Sequence, residues 1–159
     1  MHANVADTNA SRSPDGSPRS AHAALLAALT ALFLLRVAGQ AIQRWLPQPW
    51  LPPFGAFQGS GLPYAVLLSA QLAILAVMLR VWWRVRSGAL LPNARVGRIL
   101  AWCGGLYMAG SCLRIAVGLA LPGAPAWFTA WIPAAFHPVL AGFVLVTADY
   151  HLRERKPAR

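Results

Sequence analysis

The 159-residue chain is short of charge, and above all of negative charge. Asp, Glu, Lys and Arg together make up 11% of it, where soluble domains carry roughly 25%. A fold in water needs more polar surface than that. Its only acids are Asp7, Asp15, Asp149 and Glu154. No two of them are placed to share acid/base chemistry. The two cysteines, Cys103 and Cys112, lie nine positions apart. Within one helix they would point to opposite faces, ~13 Å apart along the axis, so they cannot bridge each other. Neither CxxC spacing nor a metal-ligand set is present, and both cysteines are expected to be small, buried apolar side chains. No Ser, His and acid follow a hydrolase order, and no phosphate-binding glycine loop occurs. The glycines of "WCGGLYMAG" sit inside an apolar run, where Gly105 and Ala109 read as a small-xxx-small packing pair. The period-two alternation of barrel strands is also missing. No catalytic residue, metal site or cofactor is assigned.

What is present is apolar: 57% of residues are hydrophobic, and mean hydropathy is +0.50. Four runs reach the ~18 residues of a membrane span: Ala23 to Leu46, Leu62 to Val85, Ile99 to Leu121 and Trp127 to Ala148. Lipid leaves no backbone group unpaired without cost, so these runs are expected to be helices. The expected fold is an all-α, integral membrane four-helix bundle. Its parts are a disordered cytoplasmic tail over residues 1–21, a transmembrane domain over 22–151 and a basic tail over 152–159.

Charge position then orients the bundle. The net charge of +10 would suggest nucleic acid in a soluble chain, but here the arginines flank apolar runs. Arg80, Arg84, Arg86, Arg95 and Arg98 surround the middle connection, and Arg153, Arg155, Lys156 and Arg159 follow the last run. Pro47 to Pro63 and Pro122 to Ala126 hold no Lys or Arg. Positive residues stay inside, which puts both termini and the middle connection in the cytoplasm. Anionic lipid headgroups, not nucleic acid, are the expected counterpart. Trp45, Trp50, Trp127 and Trp131 fall near the outer ends, and Trp82, Trp83, Trp102, Tyr150 and His151 near the inner ends, as interfacial aromatics do. Arginine far exceeds lysine and alanine is abundant, a composition pointing to a GC-rich bacterium and an inner membrane.

Each run carries a polar residue between the midplane and the outer face. Arg36 lies ~13 Å below Trp45, Gln71 ~13 Å below Leu62, Arg114 ~10 Å below Leu121 and His137 ~15 Å below Trp127. Gln40 follows Arg36 by one turn, so the two share a face, and Gly39 beside them admits a neighbour. Gly110 and Gly118 stand a turn either side of Arg114, and Pro133 and Pro138 flank His137 and free backbone carbonyls. An arginine in the membrane centre costs ~2.5–3.5 kcal/mol on the insertion scale, and no carboxylate lies at this depth to relieve it. The planar guanidinium suits carboxylate and phosphate. Arg36, Gln40, Gln71, Arg114 and His137 are therefore the candidate ligand-binding set, for a lipid, a quinone or another anionic or carbonyl-bearing molecule from the outer leaflet. The same residues could instead hold the helices in register. The charge-free loop "PQPWLPPFGAFQGSGLPY" is expected to fold over the membrane surface or cap the bundle. Its exposed aromatics favour an alternative, an accessory or assembly subunit of a larger membrane complex or a homo-oligomer. A second alternative is a membrane enzyme acting on a lipid through His137. One histidine at this depth does not make a bis-histidine haem site.

Overall fold

A computed structural model of the chain describes residues 18–59 and 61–154. These residues form six helices and no strand: α1 Pro18–Trp45, α2 Phe54–Phe57, α3 Tyr64–Arg86, α4 Ala94–Ala120, α5 Ala126–Thr129 and α6 Trp131–Arg153. Four of them, α1, α3, α4 and α6, are long and apolar enough to cross a membrane. The protein is an all-α integral membrane bundle. Most of the expected N-terminal tail, residues 1–17, and most of the basic C-terminal tail lie outside the described residues.

On the side of the termini the helices overrun the apolar runs. α1 begins at Pro18 and takes in residues 18–21, which sequence reading assigned to the tail; α4 begins at Ala94, ahead of Ile99. Polar partners let the helices continue to the interface. The Asn93 side chain accepts hydrogen bonds from the Arg95 and Val96 backbone N–H groups and caps α4. His22, in the first turns of α1, reaches Asp149 on α6 at 3.0 Å and the Pro18 carbonyl at 2.7 Å. Arg153 donates to the other Asp149 oxygen. This is the α1–α6 clamp at the end nearest the termini. Asp149→Asn should cost about 1 kcal/mol, the range of a partly exposed ion pair, read as a shifted midpoint in detergent unfolding followed by circular dichroism.

Packing orders the spans as α3, α1, α6, α4 in a curved row. The apolar core joins Leu26, Phe33 and Val37 of α1 to Leu75, Met78 and Val85 of α3 and to Phe143 and Tyr150 of α6. The α4–α6 contact is built differently. Gly97, Gly104, Ser111 and Gly118 recur every seven residues along α4, all on one seam. A side chain at Gly97 would meet Leu152 at 2.9 Å, and one at Gly104 would meet Val144 at 3.0 Å. The small residues let the two helices approach closely without a hydrophobic drive, as membrane helices require. Of the glycines expected to admit a neighbour, Gly39 meets the Phe57 ring and Gly118 meets Phe128, whereas Gly105 and Gly110 have nothing within 4 Å. Cys103 and Cys112 are exposed on the helix surface instead of buried, because the seam turns them outward. Tyr150 and His151 are buried in the bundle: Tyr150 donates to the Leu90 carbonyl and His151 accepts from the Asn93 N–H.

α3 and α4 are not among the packed pairs. Between them, floored by α6, runs an apolar cleft of about 630 Å³ lined by residues such as Val77, Met78, Tyr107 and Phe143. The start of α1, the end of α3, the start of α4 and the end of α6 meet on one side, tied by the His22–Asp149, Tyr150–Leu90 and Asn93–His151 bonds. The opposite, distal side carries α2 and α5.

Candidate functional site

The five candidate residues are buried or half-buried in the distal half and fall into two clusters. In the first, the Gln40 side-chain oxygen is the hub. It accepts from Arg36 Nη1 at 3.1 Å and from Gln71 Nε2 at 3.1 Å, so α1 and α3 are joined through one amide. Gln40 is 0% exposed and Gln71 5%. Arg36 Nη2 donates to the Phe57 carbonyl at 3.1 Å. That carbonyl comes from α2, in the loop expected to fold over the membrane surface or cap the bundle. The loop does turn inward: Phe57 is buried and its ring stands against Gly39. Trp50, at 73% exposed, stays outside.

The second cluster joins α4, α5 and α6. Arg114 donates through Nε and Nη2 to the Trp127 carbonyl, at 3.1 and 2.6 Å, and its guanidinium lies 4.1 Å from the centre of the Trp127 ring. A cation over an indole face in a dry setting is stabilised by up to about 2 kcal/mol. His137 Nδ1 donates to the Pro133 carbonyl at 2.6 Å. Arg114 Nη1 stands 3.5 Å from His137 Nε2, and the Tyr107 ring meets the imidazole edge-on. Among the described residues, no group of three or more His, Cys, Asp or Glu could hold a metal ion.

The capping loop touches both clusters. A side chain at Gly59 would run into the Pro133 ring at 2.8 Å and come within 3.6 Å of Arg114 Nη2. Gly118, on the α4 seam, is filled by the Phe128 carbonyl, so α5 is held hard against α4 one residue from the Trp127 carbonyl.

Two properties of these clusters point beyond internal bonding. Gln40 Nε2 and Gln71 Oε1 are buried without a hydrogen-bond partner, and so is the Tyr64 hydroxyl. A buried polar atom without a partner costs about 1–3 kcal/mol. Second, neither arginine has a carboxylate. The described acids, Asp149 and Glu154, pair with His22 and Arg153 at the far end. The Phe57 and Trp127 carbonyls and the Gln40 side-chain oxygen accept from the guanidinium groups but do not neutralise their charge.

Sequence reading named neither Phe57 nor Trp127 as partners of the arginines. Both act through backbone carbonyls, which any residue carries, so residue type gave no signal. Comparison with protein-family models, with curated proteins and with solved structures finds no match, and the function has to be read from the geometry.

Proposed function

We propose that this is a multi-pass protein of a bacterial inner membrane, with both termini cytoplasmic, whose distal polar layer binds the head of a lipid, a quinone or another anionic or carbonyl-bearing small molecule. The contrast between arginine-rich connections on the terminal side and lysine- and arginine-free connections on the distal side supports that orientation. The binding reading rests chiefly on one observation: Gln40 Nε2 and Gln71 Oε1, a donor and an acceptor, lie buried and unpartnered beside Arg36. A guest oxygen that accepts from Gln40 Nε2 and from Arg36 would take the place of the Phe57 carbonyl, and α2 would lift as a lid. Arg114, across the capping loop, would hold a second oxygen, with His137 beside it.

The experiment is identification by native mass spectrometry of small molecules retained by the purified chain. Arg36→Leu and Arg114→Leu should each lower retention at least about tenfold, the effect of one charge-assisted hydrogen bond. If retention is unchanged in both variants while they stay folded, the arginines only hold helix register.

The open cleft between α3 and α4 favours a second reading, an accessory subunit whose partner inserts side chains of a transmembrane helix there. A photoreactive residue at Val77 that crosslinks reproducibly to one membrane protein would support it; crosslinks to lipid alone would exclude it.

A further inference from the structure

A separate cavity of about 480 Å³ opens on the side of the termini, between the start of α1 and the end of α3. It uses none of the distal residues. Its walls are Arg19, Ser20, Ala23, Ala24 and Ala27 of α1 and Trp82 and Arg86 of α3. The two guanidinium groups come from different helices, and neither has a carboxylate within salt-bridge distance among the described residues. Arg86 is carried over the Trp82 ring, 5.8 Å from its centre, which holds the guanidinium at interfacial depth. Arg19 is positioned by the end of α3. There Gly88 adopts φ +73° and ends the helix, and its missing side chain is the space that Arg19 Nη1 occupies. Below the arginines, Ala23, Ala24 and Ala27 form one face of α1. Their short side chains leave a shallow apolar trough leading into the bilayer.

We infer that this cavity is a site for an anionic phospholipid, with the phosphodiester held between Arg19 and Arg86 and an acyl chain laid along the alanine face of α1. Two planar forks facing one cavity match phosphate oxygens. The trough distinguishes the ligand from a soluble phosphate, which has no use for it. A loose basic surface would attract anionic lipid through summed charge alone; here two arginines are oriented by Trp82 and Gly88.

The test uses the full chain in mild detergent, titrated with dioleoylphosphatidylglycerol and followed by native mass spectrometry. One phosphatidylglycerol should bind in preference to dioleoylphosphatidylcholine. R19Q/R86Q should weaken that binding about tenfold or more, as expected for the loss of charge-assisted pairs. R95Q/R98Q, which removes the same charge from the same side of the membrane, should leave it within about twofold, since these arginines do not line the cavity. R19K/R86K keeps the charge but not the fork, and should fall between them; it also serves if R19Q/R86Q fails to fold. Equal losses in R19Q/R86Q and R95Q/R98Q would overturn the site in favour of diffuse attraction. Unchanged binding in R19Q/R86Q would overturn it outright. Displacement of the lipid by millimolar inorganic phosphate or glycerol phosphate would assign the arginines to a soluble anion and overturn the lipid assignment.

Discussion

Gln40→Leu is expected to destabilise the bundle by about 3 kcal/mol, more than is usual for a polar residue in a membrane helix. Single interhelical hydrogen bonds in membrane proteins average only about 0.6 kcal/mol, because the separated helices find other partners. Gln40 differs because one oxygen serves two donors, Arg36 Nη1 and Gln71 Nε2. Removing it leaves a guanidinium N–H and an amide N–H buried in a layer where an apolar side chain offers nothing in return. The companion variant is Arg36→Leu/Gln40→Leu/Gln71→Leu. It removes donors and acceptor together, leaves chiefly the Phe57 carbonyl without its partner, and drops the insertion cost of an arginine. Replacing a whole buried polar cluster by apolar side chains is often close to neutral, so the triple variant should return to within about 1 kcal/mol of the parent. Detergent unfolding midpoints of the three proteins measure both numbers. A Gln40→Leu protein as stable as the parent would mean that water reaches the layer and supplies the missing acceptor.

The second large effect is at Gly118. A Cβ there would collide with the Phe128 carbonyl oxygen and stand 3.0 Å from its carbon. Backbone cannot step aside as a flexible side-chain tip can. Gly118→Ala must therefore push α5 off α4. The displaced segment includes Trp127, whose carbonyl takes two bonds from Arg114 and whose ring lies against the guanidinium. Overpacking together with the loss of those contacts should cost about 2–3 kcal/mol. Hydrogen exchange should speed up across residues 126–130. Gly110→Ala is the control on the same helix: nothing lies within 4 Å of a Cβ there. It should be neutral, or gain up to about 1 kcal/mol from helix propensity. If the two glycines respond alike, the close contact at Phe128 is not what holds α5.

The four spans could be read from the sequence because apolar runs of that length have one solution in lipid. Their ends could not. Residues 18–22 and 94–98 look polar, yet they are helical because His22 finds Asp149 and Asn93 caps α4, partners distant in the chain or dependent on a turn. Depth was legible too, since rise per residue converts position into height. Rotation was not. Equal depth suggested one polar layer, but Arg36, Gln40 and Gln71 meet on α1 and α3, while Arg114 and His137 meet on α4 and α6. Depth alone does not decide which helices are neighbours; the packing order α3, α1, α6, α4 does. The α4 seam was open to discovery: Gly97, Gly104, Ser111 and Gly118 recur at seven. The small helix α5 was absorbed into the fourth apolar run, because Trp127 and Phe128 are as apolar as the helix that follows.

The seam also sets a timetable. α4 is the least apolar of the four spans, it carries Arg114, and nearly all its packing is against α6 and α5, which are synthesised after it. When α4 leaves the ribosome, the Trp127 carbonyl and His137 are not yet in the membrane, and α1 and α3 already have each other. This helix must therefore wait in or beside the membrane with an unaccompanied arginine until the last quarter of the chain arrives. Biogenesis is most exposed at that interval: a chain stalled before α6 would present a glycine-lined, charged helix with no sister, a natural substrate for membrane quality control.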